Sequence, residues 1–145
     1  MKTLLASLFF VLVASVSFSQ DKVKKGPVAK FDELVYDYGT IKQGDKVSHE
    51  FRFTSVGTEP FIISQAQGSC GCTVPEFPKQ PMSKGEKGTI KVTFDSAGKM
   101  GPQDKTVTVM SNMEGGPIVL HIKGTIEPST PKNTPEARPM ENPKN

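Results

Sequence analysis

Two thiols separated by one glycine are the residues of this 145-residue chain best suited to chemistry: Cys70 and Cys72, within Gly68-Ser69-Cys70-Gly71-Cys72-Thr73. They are its only cysteines. Such a pair can close a disulfide, offer two thiolates to a soft ion such as Cu(I), or sit in a core as two small apolar side chains. In an extended chain both sulfurs point to one face with Cα atoms about 6.6 Å apart. That is close to the upper limit of about 6.8 Å for a bridge. Glycine reaches φ > 0 without a Cβ penalty, so a bridge is expected to need a turn that Gly71 permits. Closing so short a loop stabilises by only about 1.6 kcal/mol. A Cys70–Cys72 bridge is therefore expected to be a weak staple and an easily reduced bond. The candidate disulfide or loop site comprises Cys70, Gly71, Cys72 and Thr73. Cys70 and Cys72 are also the candidates for a metal, although no cofactor is expected.

A redox role needs a group that activates a thiolate, and a soft-metal role needs a third donor. The nearest cation in sequence is Lys79, and both histidines, His49 and His121, lie far from the pair. His49 alternates with Val47, Phe51 and Phe53 and is expected at a core or rim. His121 falls on a polar face. Met82, Met100, Met110 and Met113 are soft donors by type but usually fill gaps in cores. No G-x-S-x-G, GxGxxG, P-loop or HExxH pattern occurs. No catalytic residue is assigned, and the chain is not expected to be an enzyme.

The elements that must position the pair repeat with period two. Val47, His49, Phe51 and Phe53 alternate with polar residues, as do Ile90, Val92 and Phe94, while Ile118, Leu120 and Ile122 alternate with Val119, His121 and Lys123. Further strands are expected at Val28–Phe31, Leu34–Tyr36, Phe61–Gln65, Gln80–Met82 and Thr106–Ser111. Turn signals separate them at Asp37-Tyr38-Gly39, Gln43-Gly44-Asp45, Gly57 to Pro60, Lys84 to Gly88, Gly98 to Pro102 and Glu114 to Pro117. No stretch has a helical period. The pattern predicts an all-β, immunoglobulin-like antiparallel sandwich of about seven strands over residues 28–126, large enough for its own core. It lacks the cysteine and tryptophan pattern of antibody domains.

Outside that span the composition changes. Lys2, the uncharged run Leu4 to Val16, and the small residues Ser17 and Ser19 predict a signal peptide over residues 1–19, cleaved between Ser19 and Gln20. The run is too short to span a bilayer. Residues 20–27 form a polar leader. From Glu127 to Asn145 prolines recur among Ser, Thr, Asn, Lys and Glu, which predicts a disordered tail. The chain carries 18 Lys+Arg against 15 Asp+Glu; without Lys2 the counts are 17 and 15, a net charge of +2. The basic residues are scattered without interleaved aromatics, so nucleic acid is not an expected partner. An exported protein, periplasmic or extracellular and without a transmembrane segment, is expected.

Several motifs follow one another in order: Tyr36-Asp37-Tyr38-Gly39-Thr40-Ile41 then Gly44, His49 to Phe53, Gly57 to Pro60, Ser69-Cys70-Gly71-Cys72-Thr73, Gly85, Phe94-Asp95, Gly101 and Ser111-Asn112. This resembles the bacterial domain-of-unknown-function family 1573 over most of Leu34 to Gly124. Tyr38 stands where that family often has Phe. The resemblance implies an exported immunoglobulin-like sandwich related to major-sperm-protein and ASH-type domains, and no established activity. Two function classes follow. One is a non-catalytic binding or assembly module that meets another exported protein or a cell-envelope component, with the Cys-Gly-Cys loop as its functional feature. The other is thiol-redox or Cu(I) handling by Cys70 and Cys72.

Overall fold

A computed structural model describes residues 25–129. The expected signal peptide and its cleavage point lie outside the described residues, as do most of the leader and of the tail. Eight strands form: β1 (Ala29–Phe31), β2 (Val35–Lys42), β3 (Lys46–Ser55), β4 (Ile63–Gly68), β5 (Thr73–Glu76), β6 (Lys87–Asp95), β7 (Gly101–Ser111) and β8 (Ile118–Glu127). They make two four-stranded sheets, ordered β1-β3-β6-β5 and β2-β8-β7-β4. β2 runs parallel to β8, and the other pairings are antiparallel. This is the ABED and CFG division of an immunoglobulin sandwich, with β2 added beside the last strand.

The period-two residues account for the packing. Phe51 pairs with Ile90 and Val47 with Phe94 across β3 and β6. Phe51, Ile90, Val92 and Phe94 are wholly buried, and from the facing sheet so are Val107 and Val109, with Leu120 and Ile122 at 1% exposure. Each such side chain contributes about 1.5–3 kcal/mol by leaving water. The two inner faces close one core between the sheets.

Several expectations are corrected. Asp37-Tyr38-Gly39 is no turn: it lies inside β2, where the register slips between Asp37 and Thr40. Gly39 takes φ +70° there, and its N–H donates to Asp37 Oδ1 at 2.8 Å. The chain thus absorbs an extra residue as a bulge and continues. Gln80–Met82 forms no strand. Pro81 lacks a donor, and only Met82 pairs, exchanging two backbone bonds of 2.9 Å with Phe61. β7 begins at Gly101, inside the expected turn, and β8 runs through Glu127, whose carboxylate accepts from Lys42 Nζ at 2.7 Å. β5 was not expected. It is short and contains Pro75, which an edge strand tolerates.

Candidate functional site

The four residues between β4 and β5 carry the chain from one sheet to the other. β4 is the outer strand of its sheet and β5 the outer strand of the other. Residues 69–72 therefore form a corner where two sheet edges meet. Three hydrogen bonds hold it, two between backbone groups and one to a side-chain hydroxyl. Ser69 N–H donates to Thr106 O at 2.8 Å, and Thr106 N–H returns a bond to Ser69 Oγ at 3.1 Å. Asp95 N–H donates to Cys72 O at 2.9 Å. The corner is thus fastened to β7 on one side and to the end of β6 on the other.

Within it, Thr73 N–H donates to Cys70 O at 3.1 Å, closing a four-residue turn. Cys70 and Cys72 are joined as a disulfide with Cα atoms 5.2 Å apart, inside the usual range of about 4.4–6.8 Å. The expected part played by Gly71 is corrected. Gly71 is not among the glycines with positive φ. A closed turn without positive φ is of the type I kind, open to most residues. A Cβ on Gly71 would meet no atom within 4 Å beyond its two chain neighbours. What the corner requires is a different glycine: Gly68, where a Cβ would fall 2.1 Å from Thr73 O.

The sulfurs differ in setting. Cys72 packs against the core, whereas Cys70 is half-buried outside it. Beneath both lies Thr73, only 2% exposed and paired with Phe94. Its Oγ1 is 3.5 Å from Cys70 Sγ and 3.8 Å from Cys72 Sγ. Asp95 follows Phe94, and its carboxyl is held below the usual carboxylate range, first by the Ala97 N–H it accepts and then by Lys46, whose Nζ is 3.5 Å away.

The other candidates are engaged elsewhere. His49 sits at the rim. Its Nε2 meets Glu33 Oε1 at 2.8 Å, and its ring stacks on Tyr36 at 3.7 Å between centroids. His121 Nδ1 meets Asp104 at 3.0 Å. Met82 is buried, while Met100 and Met110 are exposed. Among the described residues no three His, Cys, Asp or Glu side chains are grouped to hold a metal ion. Binding Cu(I) would first require the bridge to be reduced, since the ligand is the thiolate. Ser69 and Thr106 join the site although the sequence does not single them out: Ser69 stands in the motif without a role of its own, and its partner lies 37 positions away.

A family model described as "Protein of unknown function (DUF1573)" matches residues 29–126. No curated protein matches the chain. Among solved structures, a protein of unknown function from Porphyromonas gingivalis W83 is similar with a TM-score of 0.60 at 11% identity, over 71% of this chain and 48% of that one. The ASH / PapD-like domain 7 of human CEP192 is similar with a TM-score of 0.51 at 13% identity, over 81% of this chain and 99% of that domain. The VesB protease of Vibrio cholerae is similar with a TM-score of 0.52 at 15% identity, over 70% of this chain but 31% of the protease. The chain thus spans less than half the length of the Porphyromonas and Vibrio proteins. At these identities the likenesses show the immunoglobulin-like fold, shared by the ASH-type domain.

Proposed function

This chain belongs to the DUF1573 family, and within it we propose that it acts as an exported, non-catalytic binding or assembly module whose contact surface is the Cys70–Cys72 corner. One observation carries the reading: the motif richest in side-chain chemistry lies at an exposed crossing between two sheet edges. Beside it Val74 projects from β5 with 54% of its surface exposed. An edge strand has unpaired backbone groups that a partner segment can meet. A turn clamped by a disulfide presents its surface with little ordering cost on binding. Export is supported by the lysine, apolar and small-residue order of the first 19 residues. The partner is another exported protein or a component of the cell envelope.

The test is site-specific photo-crosslinking in cells of the full chain, with the probe at Gly71 or Val74 and a control probe at Arg52. A discrete adduct from the corner positions, absent at Arg52, is the expected result. Arg52 lies on the same outer sheet face as Val74 but two strands away, so adducts from Arg52 alone would move the contact surface from the corner to β3. The double variant Cys70→Ser, Cys72→Ser should keep its fold within about 2 kcal/mol of the parent, because the loop is short. It should lose the corner adduct. N-terminal sequencing of the mature protein should begin at Gln20.

A further inference from the structure

We propose that Cys70–Cys72 is a stoichiometric thiol–disulfide exchange site whose reduced form is stabilised by the Thr73 hydroxyl, its co-reactant being a dithiol. This goes beyond docking at the corner and is decided by thiol chemistry, so either idea can fail without the other.

The first argument is the hydroxyl. Thr73 is 2% exposed, and among the described residues its Oγ1 has only the two sulfurs as hydrogen-bond partners. A bridged sulfur is a weak acceptor, so in the oxidised state a buried hydroxyl is poorly satisfied. A thiolate is a charged acceptor, and bonds to ionised groups are roughly twice as strong as neutral ones. The same hydroxyl therefore contributes more to the reduced protein than to the oxidised one. The second argument is access. Gly71 is exposed, with no atom beyond its two chain neighbours within 4 Å of where a Cβ would stand, and Cys70 beside it is only half-buried, so the turn keeps a solvent-facing side. The third is the scaffold. The ties from Ser69 to Thr106 and from Cys72 O to Asp95 involve no sulfur, so they persist when the bridge opens.

The settings of the sulfurs give the exchange a direction. Cys72 packs on the core and Cys70 does not, so the incoming thiolate attacks Cys70 Sγ. The Cys70–Cys72 bond breaks and its electron pair leaves on Cys72 Sγ, to which Thr73 Oγ1, 3.8 Å away, donates. The co-reactant's second thiolate then attacks its own sulfur in the mixed disulfide and releases Cys70 as a thiolate. Two electrons pass from the dithiol to the bridge. The dithiol departs as a disulfide, and its two protons end on Cys70 and Cys72 or in solvent. Each step is reversible.

The test equilibrates the mature chain with dithiothreitol or with glutathione, a dithiol and a monothiol. It compares the parent with Thr73→Val and Thr73→Ser. Dithiothreitol should reduce the folded parent, read by a gain of two hydrogens in its mass, and glutathione at equal thiol concentration should reduce less of it, because a monothiol has no second thiolate to resolve the mixed disulfide; equal reduction by both would overturn the dithiol assignment. Thr73→Val should lower the equilibrium constant for reduction by roughly three- to tenfold, which is about 15 to 30 mV, and Thr73→Ser should restore it. In the reduced parent at pH 7 one thiol should react with iodoacetamide about threefold faster than a cysteine peptide, the larger thiolate fraction outweighing its lower nucleophilicity. Reduction only after unfolding overturns the proposal, as does a constant unchanged by Thr73→Val. If that variant does not fold, the alkylation rate decides: a rate no faster than the peptide's overturns it.

Discussion

Gly68 lies so close to Thr73 across the corner that a Cβ on Gly68 would sit 2.1 Å from the Thr73 carbonyl oxygen. The obstacle is backbone, which cannot swing aside as a side chain would. Gly68→Ala should therefore cost about 1–3 kcal/mol. Gly71→Ala, with open space and no positive φ, should stay within about 0.5 kcal/mol of the parent. Urea midpoints measure both. Equal losses would mean that Gly71, too, is held by a neighbour.

Neighbouring residues on β3 should diverge as sharply. Phe51 is wholly buried between the sheets, whereas Arg52 is exposed. Phe51→Ala should cost about 3–5 kcal/mol through the cavity it leaves. Arg52→Ala should change stability by about 0.5 kcal/mol or less. Similar small effects at both positions would contradict the register of β3 against β6.

Tyr38 carries a hydroxyl that the fold does not use. Its oxygen is buried and has no hydrogen-bond partner among the described residues, while the ring packs against Phe94 at 5.7 Å and over Gly124. Burial raises its pKa first, and the Asp37 charge adds to this. Tyr38→Phe should be neutral or stabilising by up to about 1 kcal/mol, since an unpaired buried polar atom is removed. Thermal unfolding of the two proteins measures this, and a clear loss of stability would show that the hydroxyl has a partner.

Asp95 gives the corner an acid dependence. Its carboxyl is held low by the Ala97 N–H and by Lys46. A folded-state pKa below the unfolded one contributes stability above the usual carboxylate range, near pH 3.9. That contribution disappears as pH falls through the folded value. The parent should therefore melt higher than Asp95→Asn at neutral pH, with the gap closing below about pH 4. A gap that does not change with pH would assign the effect to hydrogen bonding alone.

How much could be read without the fold varies by residue. The inward faces of β3, β6 and β8 were legible because alternation is a local property: Phe51 and Phe53, Ile90 to Phe94, and Leu120 to Ile122 each declare a side within one strand. The cysteine pair was legible as chemistry for the same reason, being two residue types at one spacing. The bulge at Gly39 was not, because it depends on Gly124, 85 positions later, leaving room for the Tyr38 ring. β5 was hidden by Pro75, which weakens a strand signal but is harmless where no neighbour needs its N–H. Thr73 stood in the motif from the start, yet its placement beneath both sulfurs follows from β5 pairing with β6, which seats it opposite Phe94. Gly68 over Gly71 as the demanding glycine was likewise settled by the crossing of two sheet edges. The sequence by itself determined which faces bury and which atoms can react. Only the tertiary structure decided what those atoms touch, because long-range strand pairing sets contacts that no local pattern encodes.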